Sequence, residues 1–334
     1  MKKIFALLLA LFLFTANFIG CAEDTPELKD PNNEENQPPV QDTENPATDF
    51  EYEENEEGGI TIVKYIGTDA DVIIPAQIDG KDVTEIGTNA FYWNEDVVSV
   101  IMPDSVLTIL HDAFRQCSSL HTVVLSDKIT SIKGGAFKEC TSLKVISLPD
   151  TLTEIGMSAF EKCASLKQIK IPTSVRKIGD MAFESSGLEI IEFSEGIEII
   201  DGNAAFAHTK IKQLVLPSSL KEIGTQTFGG CSSLESVTLN EGLVTIGYKA
   251  FASNPKLEEI LIPKTVTHVT EMSFTGCSAL RKVFFDGNAP NTFEYSDSIL
   301  GTHDAYDVSF TIYYHPSAKG FTSPEWCGYP TAIW

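Results

Sequence analysis

The apolar positions of this chain fall into short runs that repeat with a fixed beat. In one unit, Ile169 and Ile171 flank Lys170 in the period-two manner of a short strand, and Pro172 ends it. A second extended piece is predicted at residues 175–178, followed by a turn or a single helical turn that carries Ala182 and Phe183. The same phrase recurs along the chain, with Phe91, Phe114, Phe137, Phe160, Phe183, Phe206, Phe228, Phe251 and Phe274 spaced by 23 residues and once by 22. A period of this length predicts a stacked solenoid of nine repeats. Each unit holds too few apolar side chains to enclose a core alone, so neighbouring coils must supply the missing walls.

Comparing the slots of the repeat shows what each one needs. The residue four before the Phe is Gly at 87, 156, 179, 202, 224 and 247, but Leu110, Lys133 and Thr270 elsewhere. A backbone that required positive φ would reject Leu and Thr, so this Gly is expected to relieve crowding between coils. Cys117, Cys140, Cys163, Cys231 and Cys277 each lie three residues after a repeat Phe, where other units carry Asn94, Ser186, Thr209 and Asn254. That is a ladder of small side chains inside the coil and not a metal-type cysteine spacing, and free, buried thiols are expected.

The phrase running through Leu152, Ile155-Gly156, Ala159-Phe160, Cys163, Ser165-Leu166, Ile169 and Ile171-Pro172 resembles the BspA-like (Treponema-type) leucine-rich repeats of bacterial surface proteins. The resemblance spans roughly residues 50–334. It implies a right-handed, β-rich leucine-rich repeat solenoid of short strands plus turns or single helical turns, with N- and C-terminal caps. It also implies an exported, surface-located binding protein, since adhesion to host proteins is a property of some members.

The ends of the chain carry different signals. Lys2-Lys3, an apolar run to Ile19 and then Gly20-Cys21 read as a lipoprotein signal peptide over residues 1–20, with Cys21 as the acylated residue. The run is short for a transmembrane helix. Residues 21–48 are rich in Pro, Asn, Gln, Asp and Glu and read as a disordered acidic tether, roughly 25–35 Å long on average. Residues 49–82 form an N-terminal cap with a hairpin turning at Gly58-Gly59, residues 83–285 are the repeats, and residues 286–334 form an aromatic-rich C-terminal cap. The expected location is the bacterial outer membrane or cell surface, with the lipid anchor as the only membrane contact.

Charge narrows the partners. The formal net charge is −23, of which the solenoid and caps from residue 59 onward carry about −12, with 33 acids against 21 bases. This argues against nucleic acid or an anionic membrane as a direct ligand of the solenoid. The six His residues show no ligand spacing, and no phosphate loop, zinc motif or nucleophile elbow is present, so no catalytic residue, metal site or cofactor is predicted.

The candidate chemistry therefore lies on the strand face. Between the last two apolar residues of each strand, one position should point to solvent. Along the array it reads Ile101, Val124, Ser147, Lys170, Glu192, Val215, Thr238, Leu261 and Phe284. Apolar residues at both ends of this row, rimmed by charge, predict a face that recognises an extracellular protein of a host or neighbouring cell. An alternative is glycan or nutrient capture by the C-terminal aromatics, with Trp326 and Tyr329 as contacts. Tyr92-Trp93 fills a slot that is polar elsewhere and is expected either to pack on the N-terminal cap or to act as a second contact point.

Overall fold

Each coil contributes two short strands that stack in parallel on those of its neighbours, in ladders interrupted at several steps. In the computed structural model, which describes residues 43–270, 272–290 and 310–334, the first ladder is the predicted strand face. Gln168–Ile171 pairs with Ile190–Phe193, Gln213–Val215 with Ser236–Thr238, and Glu259–Ile262 with Lys282–Phe285. The second ladder links Ser131–Ile132, Glu154–Ile155 and Lys177–Ile178, with the inward Ile of each pair buried. The signal peptide, Cys21 and the tether up to residue 42 lie outside the described residues, as does the cap segment 291–309.

The solenoid has about eleven turns, so the nine Phe repeats undercount the coils. Both ends add coils without the Phe phrase. At the N-terminus the predicted hairpin forms, with Phe50–Glu54 antiparallel to Ile60–Tyr65. Ile60–Tyr65 then runs parallel to Lys81–Ile86, and Asp71–Ile73 to Ser99–Ile101. The Tyr65 ring stacks 5.2 Å from Phe91 and takes the place of a repeat Phe. At the other end Thr311–Tyr314 extends the strand face beyond Lys282–Phe285, and Tyr329–Ile333 extends it once more. The folded body also starts before residue 49. The Asn45 amide exchanges backbone-like hydrogen bonds with Ile73, and its side chain accepts from Ile73 N at 2.8 Å and donates to Asp69 at 2.9 Å. A polar residue satisfied by four hydrogen bonds, the fourth to Asp49, is held as firmly as a strand residue, which composition alone does not reveal.

The Phe-bearing segment is a run of turns and not a helical turn. Its residues two before and two after each Phe adopt left-handed φ, for example 56° at Ser158 and 59° at Lys162. Of these eighteen positions, fifteen carry a side chain, a conformation that costs roughly 1–2 kcal/mol each. The compensation is a third inter-coil ladder. Phe114 N donates to Ala136 O (2.8 Å), Phe137 N to Ala159 O (2.8 Å) and Phe160 N to Ala182 O (2.7 Å). Alternate amides close turns within the coil, as Cys140 N does to Phe137 O at 3.1 Å. A helix would send every amide back along its own chain and leave the coils unlinked.

The slots behave as their composition predicts. Gly156, Gly179 and Gly202 are not left-handed; a Cβ on each would lie 2.5 Å from a backbone atom of the preceding coil. The Phe rings form one buried stack, with neighbouring centroids 4.7–5.7 Å apart from Phe91 to Phe274. Beside it the five ladder thiols are free and buried. Each donates to the carbonyl of the Phe one coil earlier, as Cys117 does to Phe91 O at 3.0 Å and Cys140 to Phe114 O at 2.9 Å. Asn254 does the same with its amide, reaching Phe228 O at 3.0 Å. A small donor in this slot gives the Phe carbonyl a second hydrogen bond beside that of its own turn, as at Phe91 O, which Asn94 N also reaches at 3.0 Å.

Candidate binding face

The strand face presents its outward residues in register because every pairing in it is parallel. Ile101 lies beside Val124, Lys170 beside Glu192, Val215 beside Thr238, and Leu261 beside Phe284. Lys170 and Glu192 form an ion pair of 2.9 Å that separates an N-terminal apolar pair from a longer C-terminal stripe. Within that stripe Val215 is 60 % exposed and Leu261 44 %. Neither supports the core, so their apolar surface is available. Ser99, two residues before Ile101 in the same strand, is buried and donates its hydroxyl to Asp71.

The stripe continues past the last repeat. Phe284 is in register with Tyr313, their rings stacked at 4.9 Å, and Tyr313 with Ala332. Trp334 tilts against Phe284 at 5.0 Å and stacks on His315 at 4.7 Å, while remaining 45 % exposed. His315 contacts Asp286 at 3.1 Å, and Glu259–Lys282 forms a rim pair of 3.5 Å. Such exposed pairs add little to stability but border the apolar patch with polar groups. Tyr313 and Trp334 extend this face and were not among the outward positions read from the repeat. The step from Phe284 to Tyr313 is 29 residues, so the repeat period points past it.

The two residues proposed as glycan contacts lie in the C-terminal cap. Trp326 is buried in the cap, edge-on to Phe285 at 6.1 Å and against Phe321 at 4.8 Å. Tyr329 stacks on Phe310 at 4.5 Å, and burial pushes its phenol up to about 12. Trp326 is covered because the final coil must close the core, Tyr329 is half-buried as Tyr313 is, and the most exposed aromatic ring at this end is Trp334. Tyr92 and Trp93, beside the N-terminal cap, are 42 % and 63 % exposed. Among the described residues no group of three or more His, Cys, Asp or Glu is disposed to hold a metal ion, and no helix is long and apolar enough to cross a membrane.

Comparison with known proteins agrees with this architecture. The model of the BspA type leucine-rich repeat region matches residues 84–204 and 202–299, in six copies. A leucine-rich repeat protein from Bacteroides ovatus is 28 % identical over 80 % of this chain and 70 % of its own, with a TM-score of 0.66. The leucine-rich repeat protein of T. pallidum is 28 % identical over 71 % of this chain and 91 % of its own, with a TM-score of 0.50. No curated protein matches the chain.

Proposed function

The chain belongs to the BspA-type leucine-rich repeat family, and from that premise we propose that it is an exported surface protein whose strand face binds an extracellular protein. The observation that carries this reading is the outward apolar group of Leu261, Phe284, Tyr313 and Trp334, bordered by ion pairs, with exposed Val215 two coils before Leu261 across Thr238. Aromatic and aliphatic anchors inside a polar rim are the composition of a protein-recognition surface. The net acidity of the repeats favours a partner that is neutral or basic at its contact surface. Cys21 anchors the chain by a lipid, and the acidic segment after it holds the solenoid away from the membrane.

The structure guides the choice of variant. Phe284 is braced by Tyr313 and Trp334, so charging it would disturb the cap as well as the face. Val215→Glu combined with Leu261→Glu removes two exposed anchors instead, and each should alter stability by no more than about 0.5 kcal/mol. On an array of extracellular-matrix proteins and glycans, the wild-type protein is expected to retain a protein partner, and the double variant to bind it at least about tenfold more weakly. Undiminished protein binding by a folded double variant would falsify the strand-face assignment. Mass spectrometry of the membrane-extracted protein is expected to find diacylglyceryl on Cys21; an unmodified Cys21 would remove the anchor from the proposal.

A further inference from the structure

The first complete coil ends in a feature that the fold itself does not use. Trp93 occupies the second left-handed position of its turn, with φ 57°, where later coils carry Gln116, Glu139, Lys162, Ser185, His208, Gly230, Ser253 and Gly276. A bulky ring in this conformation is costly, and Gly230 and Gly276 occupy the same slot without that cost. The ring gains no burial in return, being 63 % exposed. Tyr92 beside it is also exposed, with the two ring centroids 6.3 Å apart and nearly perpendicular at 79°. Arg115 covers one face of Tyr92 at 6.0 Å, whereas no comparable partner covers the Trp93 face among the described ring contacts.

These rings border an open cavity of about 500 Å³, which Lys64, Asn89, Glu95 and Asp96 also line. The size falls in the range typical of small-molecule clefts, roughly 300–1,000 Å³. The cavity exists because the coil before it is incomplete. In later coils the carbonyl preceding the second left-handed residue receives an amide from the coil before: Arg115 O from Trp93 N at 2.9 Å, Lys138 O from Gln116 N at 2.8 Å. Tyr92 carries the corresponding carbonyl in the first coil, and the nearest preceding amide, Gly67 N, donates to Asp49 O at 3.1 Å instead. The Tyr92 carbonyl therefore lacks a backbone donor among the described residues. Trp93 Nε1 donates to Glu95 at 3.1 Å, which fixes the edge of the indole and leaves its face open.

We infer that Tyr92 and Trp93 form a carbohydrate-binding site at the N-terminal end of the solenoid, on its turn side and remote from the strand-face stripe. The apolar face of a pyranose stacks on the Trp93 ring, and its hydroxyls meet a rim that holds both donors and acceptors. Lys64 and the Asn89 amide donate; Glu95, Asp96 and the Tyr92 carbonyl accept. That mixture suits a neutral polyol. A cationic ligand would share the aromatic face and the carboxylates but would be opposed by Lys64 and Arg115.

Maltotriose, cellotriose and chitotriose, titrated separately into the protein at millimolar concentration, are the sugar probes, with tetramethylammonium chloride as the cationic one. Binding is read from tryptophan fluorescence and from the indole N–H resonances. At least one trisaccharide is expected to saturate the signal, to bind at least tenfold more weakly to Trp93→Ala, and to bind equally well to Val215→Glu/Leu261→Glu. Trp93→Ala itself should keep or slightly raise the unfolding midpoint, because it removes an exposed ring from a left-handed position; Trp93→Gly, which that backbone accepts freely, gives a second variant to compare. Saturation by tetramethylammonium and by none of the sugars would overturn the carbohydrate assignment in favour of a cation site. Absence of any saturable response, or a sugar response that survives in both Trp93 variants, would overturn the site altogether.

Discussion

Phe160→Ala is expected to lower the stability of the protein by about 3–5 kcal/mol. The ring is fully buried and lies between Phe137 at 5.3 Å and Phe183 at 5.1 Å, nearly parallel to both. Removing it leaves a void that cannot close. The coils above and below are held at strand spacing by two inter-coil hydrogen-bonded ladders, so the backbone cannot move in to fill the gap. Two aromatic contacts are lost along with the buried area. Because each coil touches only its neighbours, the loss also weakens the coupling between the two halves of the array. Urea unfolding of the variant should therefore show a lower midpoint and a broader transition. Phe160→Leu, which keeps most of the volume, should cost far less. A loss below about 1 kcal/mol for Phe160→Ala would mean that the backbone ladders hold the coil without the ring stack.

Mild alkali should destabilise the fold steeply, and the cysteine ladder is the reason. Burial pushes the Cys231 thiol up to about 11 and that of Cys277 up to about 12, and it holds Cys140 and Cys163 well above the ordinary thiol range. In the unfolded chain all four ionise near 8.5. A folded value above the unfolded one contributes stability that is complete below about pH 8.5 and is lost as pH rises toward the folded value. Each thiol then forfeits up to about 1.4 kcal/mol per pH unit. From pH 9 to pH 10 the four together should remove on the order of 4 kcal/mol, provided a reductant prevents disulfide formation in the unfolded chain. The check is the urea midpoint measured at several values between pH 7.5 and 10. Cys140→Ala/Cys163→Ala should lower stability at pH 7.5 yet roughly halve the alkaline slope. A midpoint that stays level to pH 10 in the wild-type protein would contradict this role for the buried thiols.

How much of this was legible in the chain differs between the inside and the outside. The Phe stack, the buried thiol row and the crowding at Gly156, Gly179 and Gly202 all follow from a period that can be read directly. An interior coil always meets the same neighbours, so a side chain facing inward has one environment and one acceptable size. The left-handed turns were not legible. Ser158, Lys162, Met181 and Ala204 share no composition that marks such a backbone; the inter-coil hydrogen bonds impose it.

The ends escaped the sequence for a related reason. Tyr65 standing in for a Phe, Asn45 pinning the chain before the first strand, and Trp326 buried while Trp334 is half open all depend on what lies beyond the last complete coil. The repeat carries no instruction about that. The outward row from Ile101 to Phe284 was readable position by position, because strand alternation fixes which side chains face solvent. Its extension through Tyr313 to Trp334 was decided only by the fold, which restores strand register across a 29-residue step that breaks the period. Periodicity thus determined the interior of this protein and the outward row of its repeats, where every coil packs against its like, and tertiary structure determined its ends, where the array meets something that is not another coil.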